Sequence, residues 1–367
     1  MIGFFNISFI IGLAIVPIKE KFNLFITSPV ELEHVERIRS IGGDAVTVVY
    51  EPDLMPPIRY VADHKGAEDF LRTDKQEKRW RAHLANAHVL WDFPAVIRDG
   101  AGNSLMPNLR WVQTTSSGVG QLVANLGLRE SRILVTTARG IHAEPLAEFT
   151  LLALLMYFKG LRHLEQEQRR HTWARYCGDG LAGKTIAVIG AGAVGRRVLA
   201  TAGAFGMRRV TLNRPGSSKT AADLGVDAVF NHKQLNAMLN ETDALVLCLP
   251  HTPESEGMID GAALSALKPG GVLVNVARGA VVDEVALVKA LQCGKIGFAA
   301  LDVFAVEPLP LDSPLWNMSN VLISPHSAST VATENARITD IFCHNLRCFL
   351  EGRFGDMQNM LDKERMY

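Results

Sequence analysis

Three glycines between an apolar run and a helix-like segment constrain the fold of this chain more than any other feature. In "TIAVIGAGAVGRRV", Gly190, Gly192 and Gly195 follow "KTIAVI" and open "GRRVLATAGAF". The first glycine suits a tight turn, the second lets a pyrophosphate approach the backbone, and the third lets helix and strand pack closely. The helix N-terminus adds N–H donors and a positive dipole for phosphates. This spacing predicts a strand–turn–helix unit that binds a dinucleotide, rather than a glycine-rich turn without a ligand.

Short apolar runs recur on both sides of this unit. "KFNLFIT", "DAVTVVY", "AHVLW" and "LRWVQTT" precede it, and "RVTLN", "DALVLCLP", "GGVLVNVA" and "GFAALDVF" follow it. Such near-continuous runs, separated by helical or loop segments, are typical of parallel strands covered on both faces. The 367 residues, 48% of them hydrophobic, are enough for two cores. We therefore expect two Rossmann-like or flavodoxin-like α/β domains with parallel sheets and an active site in the cleft between them.

Three segments carry helix signals. "SPVELEHVERIRSIGG" predicts a helix with Ser28 as its N-cap and Pro29 in its first turn. The polar stretch over residues 65–86 predicts a second helix. "AEPLAEFTLLALLMYFKGLRHL" predicts one long apolar helix, which we expect to pack at a domain or subunit interface.

The strand after the glycine unit ends without an acidic residue. A carboxylate there would accept the ribose hydroxyls of NAD(H) and would repel the 2′-phosphate of NADP(H). Here "RVTLN" ends at Asn213, and Arg214, which offers a planar fork of donors, comes next, with Ser217 and Ser218 as further donors. This pattern favours NADP(H), with NAD(H) as the alternative; a solvated turn that binds no phosphate has the same composition.

Three polar residues further along stand in apolar or turn contexts. Arg278 ends "GGVLVNVAR", Glu307 lies in "LDVFAVEP", and His326 lies in "VLISPHSAS". Each alone has an ordinary interpretation as a salt-bridge partner, a surface loop acid or a loop histidine. Together they match the reduction of a 2-oxo acid. Arg278 would hold the carboxylate and polarise the carbonyl, His326 would give the proton, and Glu307 would favour the imidazolium.

These segments resemble the D-isomer-specific 2-hydroxyacid dehydrogenases over nearly the whole chain from residue 21. The motifs that carry the resemblance, in the family's order, are "VIGAGAVGRRV", "LVLCLPHTPES", "VLVNVARGAVVDEVALVKAL", "GFAALDVFAVEPLP" and "VLISPHSAS". The resemblance implies that Arg278, Glu307 and His326 are the catalytic set. It implies that Asp302 binds the nicotinamide carboxamide and that the backbone N–H groups of Val119 and Gly120 meet the substrate carboxylate. Further implied cofactor contacts are Ala193, Val194, Leu249, Pro250, Val276, Ala277 and the catalytic Arg278 and His326.

The resemblance also implies the domain organisation. Residues 21–140 plus 327–367 would form a discontinuous substrate domain, residues 141–326 a dinucleotide-binding Rossmann domain, and the protein a homodimer. "WVQTTSSGVG" and "NRPGSS" are most similar to glyoxylate/hydroxypyruvate reductases that prefer NADPH. Two alternatives stay open: an NAD-dependent D-lactate-type dehydrogenase, and a corepressor-like protein that senses NAD(P)H without turning it over.

The composition limits the classes of partner that we expect for this chain. Lys plus Arg and Asp plus Glu both number 38, so we expect neither nucleic acid nor a membrane surface as a partner. The five cysteines have no zinc-type spacing, which predicts no metal and a reducing compartment. Residues 1–20 form an apolar extension that could be a misplaced start, a flexible extension, or a weak signal or anchor. We favour the first two, and with them a cytoplasmic location.

Overall fold

The computed structural model describes residues 21–94, 96–98 and 104–364. The apolar extension at residues 1–20, on which the expected location depends, lies outside the described residues, as do residues 365–367. Among those described, no helix is both long enough and apolar enough to cross a bilayer.

Parallel strands dominate the described part of the chain. They are β1 (Phe22–Ile26), β2 (Val46–Val49), β3 (Val89–Trp91), β4 (Trp111–Gln113), β5 (Leu134–Thr136), β6 (Thr185–Ile189), β7 (Arg208–Leu212), β8 (Ala228–Phe230), β9 (Ala244–Leu247), β10 (Gly271–Asn275), β11 (Ile296–Leu301) and β12 (Val321–Ile323).

Helices connect these strands. They are α1 (Leu32–Gly42), α2 (Asp74–Asn86), α3 (Gly120–Asn125), α4 (Ala143–Phe158), α5 (Leu161–Arg169), α6 (Ala193–Ala204), α7 (Ala221–Leu224), α8 (Leu235–Asn240), α9 (Gly261–Ala266), α10 (Glu284–Gln292) and α11 (Glu334–Leu350).

The strands form two parallel sheets, as the sequence predicts. The first sheet has the order β2-β1-β3-β4-β5, and the second has the order β12-β11-β10-β9-β6-β7-β8. In the second sheet β6 lies between β7 and β9, so the chain reverses its direction of winding beside β6. Such a switch point leaves a crevice at the carboxyl ends of the strands, which is where open α/β sheets bind ligands. The glycine turn after β6 opens onto that crevice.

Each sheet is buried between layers of helices. In the second domain, α4 covers one face with Leu146, Ala153 and Phe158, which pack on a core that includes Val188 and Val246. In the first domain, α11 covers one face of its sheet. Its contributions to that core are Ile338, Phe342 and Leu346, which pack with Leu24, Ile26, Trp91 and Trp111. The C-terminal helix therefore returns to the first sheet.

The chain crosses between the domains near residues 141 and 328. Ile141 is buried in the core of the first domain, and Ala328 packs on the core of the second. Domain boundaries at 140/141 and 326/327 would place Ile141 in the second domain and Ala328 in the first. Each of the two residues instead packs in the other domain. The segment between the crossings thus forms the second domain, and the segments before and after it form the first.

Three helix predictions are wrong in detail. Helix α1 begins at Leu32 with Glu31 as its N-cap, so Ser28 caps nothing; its buried hydroxyl has no partner in the described structure. Residues 65–72 are not helical, because the signal that starts α2 is the capping box of Thr73 and Gln76. The long apolar segment is two helices, and Gly160 separates them in the left-handed conformation at φ 65°.

Candidate active site

The glycine turn after β6 has the geometry that a pyrophosphate site requires. Gly190 has φ 102°, and a Cβ there would lie 2.7 Å from the backbone of Cys248. A Cβ on Gly195 would collide with the carbonyl oxygen of Gly190, whereas a Cβ on Gly192 would meet no atom within 4 Å. Two glycines thus allow close backbone packing, and the third faces open space at the start of α6. The residues present fit a dinucleotide phosphate group.

The loop after β7 is built around Asn213. Its Nδ2 donates to the carbonyl of Lys219 (2.8 Å), and its Oδ1 accepts from the Ser217 hydroxyl (3.0 Å). Both polar groups of the Asn213 side chain therefore shape the loop, while Arg214 and Ser218 are exposed at its surface. The residue that follows β7 is thus an amide, Asn213, and not a carboxylate. The loop accordingly presents the Arg214 guanidinium and the Ser218 hydroxyl where the ribose of a dinucleotide is expected.

The other expected cofactor contacts lie at the same edge of the sheet. Ala193 and Val194 form the first turn of α6 and are half-buried. Leu249 and Pro250 follow β9, and Val276 and Ala277 follow β10. These residues therefore line the carboxyl ends of adjacent strands on both sides of the switch point.

Arg278 is held by the residues around its own turn. The amide of Asn275 donates to the Arg278 carbonyl (3.2 Å) and accepts from Ala277 N–H (3.0 Å), and Arg278 Nη1 donates to the Ala277 carbonyl (2.7 Å). A Cβ at Gly279 would collide with the backbone of Phe304. Only glycine therefore allows the turn after Arg278 to lie against the segment that leads to Glu307.

His326 and Glu307 form a hydrogen-bonded pair. His326 Nδ1 lies 2.8 Å from Glu307 Oε2, and Glu307 Oε1 accepts from the backbone N–H of Phe304 (3.0 Å). His326 adopts a left-handed backbone conformation with φ 54°, which is uncommon for a residue other than glycine and typical of functional turns. Phe304 thus links the turn of Arg278 to the His326–Glu307 pair.

Asp302 ties the turn that carries His326 to the end of β11. Its Oδ1 accepts from the Ser324 hydroxyl (2.6 Å) and from the N–H groups of Ser327 (2.8 Å) and Ala328 (2.9 Å). Burial raises the pKa of Asp302, and these hydrogen bonds only partly oppose it. Its Oδ2 is the oxygen that remains for the nicotinamide carboxamide expected there. Asp302 therefore also positions the His326 turn.

The first domain brings one backbone loop to Arg278. A Cβ at Gly118 would collide with Arg278 Nη2, so this glycine lies directly against the guanidinium. Val119 is the N-cap of α3 and is 4% exposed, and Gly120 is the first residue of that helix. Gly118, which was not among the predicted site residues, is thus the loop residue that the structure brings to Arg278. Its position just after "TTSS" at the end of β4 was the available signal.

The candidate site is therefore made of Arg278, which the Gly118 loop contacts, and the His326–Glu307 pair. Beside His326 lies a shallow depression lined by Tyr60, Val61, Ser327, Thr330 and neighbouring residues. The described residues include no group of three or more His, Cys, Asp or Glu side chains arranged to hold a metal ion.

Comparison with known proteins identifies the family. The family model described as "D-isomer specific 2-hydroxyacid dehydrogenase, NAD binding domain" matches residues 151–328. A glyoxylate reductase from Aeropyrum pernix is 34% identical over 259 residues, which are 68% of this chain and 76% of that protein. The chain belongs to the D-isomer-specific 2-hydroxyacid dehydrogenase family. The resemblance drawn from the motifs is thereby confirmed.

The chain matches different fractions of other members of the family. A D-3-phosphoglycerate dehydrogenase from Mycobacterium leprae is 36% identical over 242 residues, which are 63% of this chain but 45% of that protein. The chain thus spans about half the length of this relative. A solved D-isomer-specific 2-hydroxyacid dehydrogenase from Xanthobacter autotrophicus Py2, in complex with NADPH and MES, covers 95% of this chain and 100% of its own. Its TM-score is 0.70 and its identity 26%. The two-domain fold is therefore that of the family.

Proposed function

We propose that this protein reduces a small 2-oxo acid, such as glyoxylate or hydroxypyruvate, to the 2-hydroxy acid with NADPH. The observation that carries the proposal is the meeting of Arg278 with the Gly118 loop across the cleft, linked through Phe304 to the His326–Glu307 pair. Arg278, Glu307 and His326 follow β10, β11 and β12 of the same sheet whose glycine turn follows β6.

The positions of the side chains suggest their roles. Arg278 would bind the substrate carboxylate and polarise the carbonyl oxygen, because a guanidinium offers paired donors to two oxygens. Glu307 engages His326 Nδ1, so Nε2 is the ring nitrogen left to face substrate. His326 would donate its Nε2 proton to the carbonyl oxygen as that oxygen gains negative charge. A bound nicotinamide would supply the hydride that C2 accepts.

The cofactor preference follows from the loop after β7. Arg214 and Ser218 are exposed there, and no carboxylate occupies the end of the strand. These groups suit a 2′-phosphate and lack the acid that would accept two ribose hydroxyls. The Xanthobacter relative was solved in complex with NADPH, which is consistent with this preference.

The domain roles and the assembly are part of the same proposal. We assign substrate binding to the segments before and after the crossings near residues 141 and 328, and dinucleotide binding to the segment between them; the family model for the NAD binding domain, at residues 151–328, supports this division. Large apolar side chains are exposed along α4, α5 and the loop beyond: Leu152 (50%), Leu164 (44%) and Trp173 (97%). Such a surface suits a homodimer interface. Trp173→Glu should give a monomer in sedimentation; a monomeric wild type would contradict the homodimer.

A substrate panel tests the function. The purified protein is assayed with glyoxylate, hydroxypyruvate and pyruvate, each with NADPH and with NADH, by following loss of the reduced nicotinamide. We expect turnover with NADPH and one of the first two acids, its loss in His326→Ala, and its retention in the exposed-histidine control His232→Ala. Preference for pyruvate with NADH would favour the D-lactate-type alternative. Tight NADPH binding without turnover of any acid would favour the sensor.

A further inference from the structure

A chain of polar side chains connects the loop beside Arg278 to the starts of two long helices. Ser117 Oγ lies 3.0 Å from His142 Nδ1, and His142 Nε2 lies 3.5 Å from Glu334 Oε1. The same oxygen of Glu334 lies 3.1 Å from His64 Nε2. His142 is the N-cap of α4 and Glu334 the first residue of α11. This network, Ser117–His142–Glu334–His64, contains none of the catalytic residues proposed above.

Glu334 is the negative centre of the network. Its side chain is 7% exposed; burial alone would raise its pKa, but the hydrogen bonds and charges of His142 and His64 lower it to about 2. Glu334 is thus a carboxylate at neutral pH, and a carboxylate only accepts hydrogen bonds. His142 and His64 must therefore both direct Nε2–H towards it.

The two imidazoles differ at their other nitrogen. His64 Nδ1 is buried and has no partner, so a proton there would be a buried charged donor without an acceptor, which is costly. His142 Nδ1 has Ser117 as its partner. Of the two rings, only that of His142 can hold a proton on both nitrogens with both bonded. His142, unlike His64, can therefore donate to Glu334 and to Ser117 at the same time.

The remaining charged groups near this network are engaged elsewhere. Arg337 donates to the Ile141 carbonyl (3.0 Å) and to Glu144 (3.2 Å). Arg59 pairs with Asp63, which precedes His64 (2.8 Å). Asp92, the other acid that acts on His64, accepts from the Thr115 hydroxyl (2.8 Å), and burial raises its pKa. Glu334 is therefore engaged by the two histidines.

A His142 ring that donates from Nδ1 fixes the direction of the Ser117 hydroxyl. Ser117 Oγ then accepts from His142, and its own hydrogen points away from the ring. The loop backbone is held independently, because the Ser116 carbonyl accepts from the Thr114 hydroxyl (2.7 Å) and from Ala138 N–H (3.1 Å). Ser117 is half-buried and directly precedes Gly118, which lies against Arg278. The residue that carries this hydroxyl is thus the chain neighbour of the loop residue in contact with the guanidinium.

We propose that His142, held by Glu334, is a positioning residue that turns the Ser117 hydroxyl into a hydrogen-bond donor for the carboxylate of the bound 2-oxo acid. This inference rests on the proposed function, because it assumes that the acid binds at Arg278. His142 acts through Ser117 and touches no reacting atom. Ser117 thereby adds a side-chain donor from the first domain to the Arg278 guanidinium of the second domain.

Matched substitutions at His142 and Ser117 test the proposal. Ser117→Ala and His142→Ala should each raise KM for the 2-oxo acid, and Kd for its unreactive analogue oxamate with NADPH bound, about tenfold, the loss expected for one hydrogen bond to a charged group. The kcat and the Kd for NADPH should stay within about twofold of wild type. The double variant should be no worse than Ser117→Ala alone, because His142 acts through that hydroxyl.

Asparagine and glutamine separate the two ring nitrogens. His142→Asn places an amide N–H near Nδ1 and should restore most of the affinity, whereas His142→Gln places it near Nε2 and should not. His83→Asn is the control, because His83 pairs with Glu51 (2.9 Å) in the same domain away from the cleft. Equal KM values for the Asn and Gln variants, additive losses in the double variant, or an unchanged KM in Ser117→Ala would each overturn the inference. Wild type that neither turns over any 2-oxo acid nor binds oxamate would instead refute the proposed function.

Discussion

His326 Nδ1 lies 2.8 Å from the Glu307 carboxylate, and the other oxygen of that carboxylate is held by Phe304 N–H. Glu307 is therefore fixed by the backbone at one oxygen and orients the imidazole with the other. An ionised carboxylate only accepts hydrogen bonds, so an ionised Glu307 would receive its hydrogen from His326 Nδ1. In the proposed reduction, Nε2 would then be the nitrogen that gives or takes the substrate proton.

Removing the charge of Glu307 should impair proton transfer more than binding. Glu307→Gln keeps the size of the side chain but replaces the carboxylate that contacts His326 Nδ1 with a neutral amide, so we expect kcat for reduction to fall by about 10²-fold. The Kd for NADPH should stay within about twofold of wild type, because Glu307 contacts His326 and the Phe304 backbone. Steady-state rates and NADPH binding, measured on both proteins, check this. A kcat equal to that of wild type would contradict the role given to Glu307.

A methyl group at Gly118 should disrupt the substrate site without unfolding the protein. The added Cβ would collide with Arg278 Nη2, so the guanidinium must move away from the loop. We expect kcat/KM for the 2-oxo acid to fall more than tenfold, because Arg278 is the residue proposed to bind the substrate carboxylate. Thermal melting should change little. Gly355→Ala is the control, since a Cβ there meets no atom within 4 Å; wild-type kcat/KM in Gly118→Ala would show that the loop is not part of the site.

The loop after β7 should decide the cofactor. We expect Arg214→Ala to lower the ratio of kcat/KM for NADPH to that for NADH by about tenfold, the value of one charge-assisted contact. Asn213→Asp combined with Arg214→Ala should move the preference further towards NADH by adding a carboxylate. Asn213 also holds the carbonyl of Lys219, so the melting temperature must be measured alongside. An unchanged ratio in both variants would mean that the 2′-phosphate does not bind there.

The strands were predictable because burial on both faces leaves an apolar run that needs no long-range information. All the runs read as strands in both halves of the chain form strands, whereas β5, β8 and β12, each of three residues, were not recognised as strands. Helix boundaries were predicted wrongly where one residue interrupts an otherwise helical pattern. Gly160 is an example, because its left-handed conformation divides the long apolar segment. Local signals thus define elements better than their ends.

The sequence could point only to those residues of the candidate site that lie in motifs close together along the chain. Arg278, Glu307 and His326 lie within 49 residues of one another on the second domain. The contact of Gly118 with Arg278 joins the two domains, and Ser117, His142 and Glu334 meet only because α11 returns to the first sheet. Glu334 is 192 residues beyond His142. The aromatic side chains of Trp91 and Phe93 pack on hydrophobic cores of the first domain, as burial of large aromatics favours. No local pattern reports such long-range contacts.

Glu334 should make the folded protein sensitive to acid. The pKa of this carboxyl is lowered from 4.5 to about 2, so the unfolded chain binds more protons than the native protein between these values, and stability is lost as the pH falls through them. From the linkage relation this group alone should cost about 2 kcal/mol of unfolding free energy between pH 5.5 and pH 3. Glu334→Gln resembles the protonated form, so it should be less stable than wild type at pH 5.5, and the difference should shrink by about 2 kcal/mol at pH 3. Urea unfolding at both pH values measures this, with Glu256→Gln as the control because Glu256 is 69% exposed beside His251. A stability difference that is the same at both pH values would mean that Glu334 is not held as a carboxylate between the two histidines.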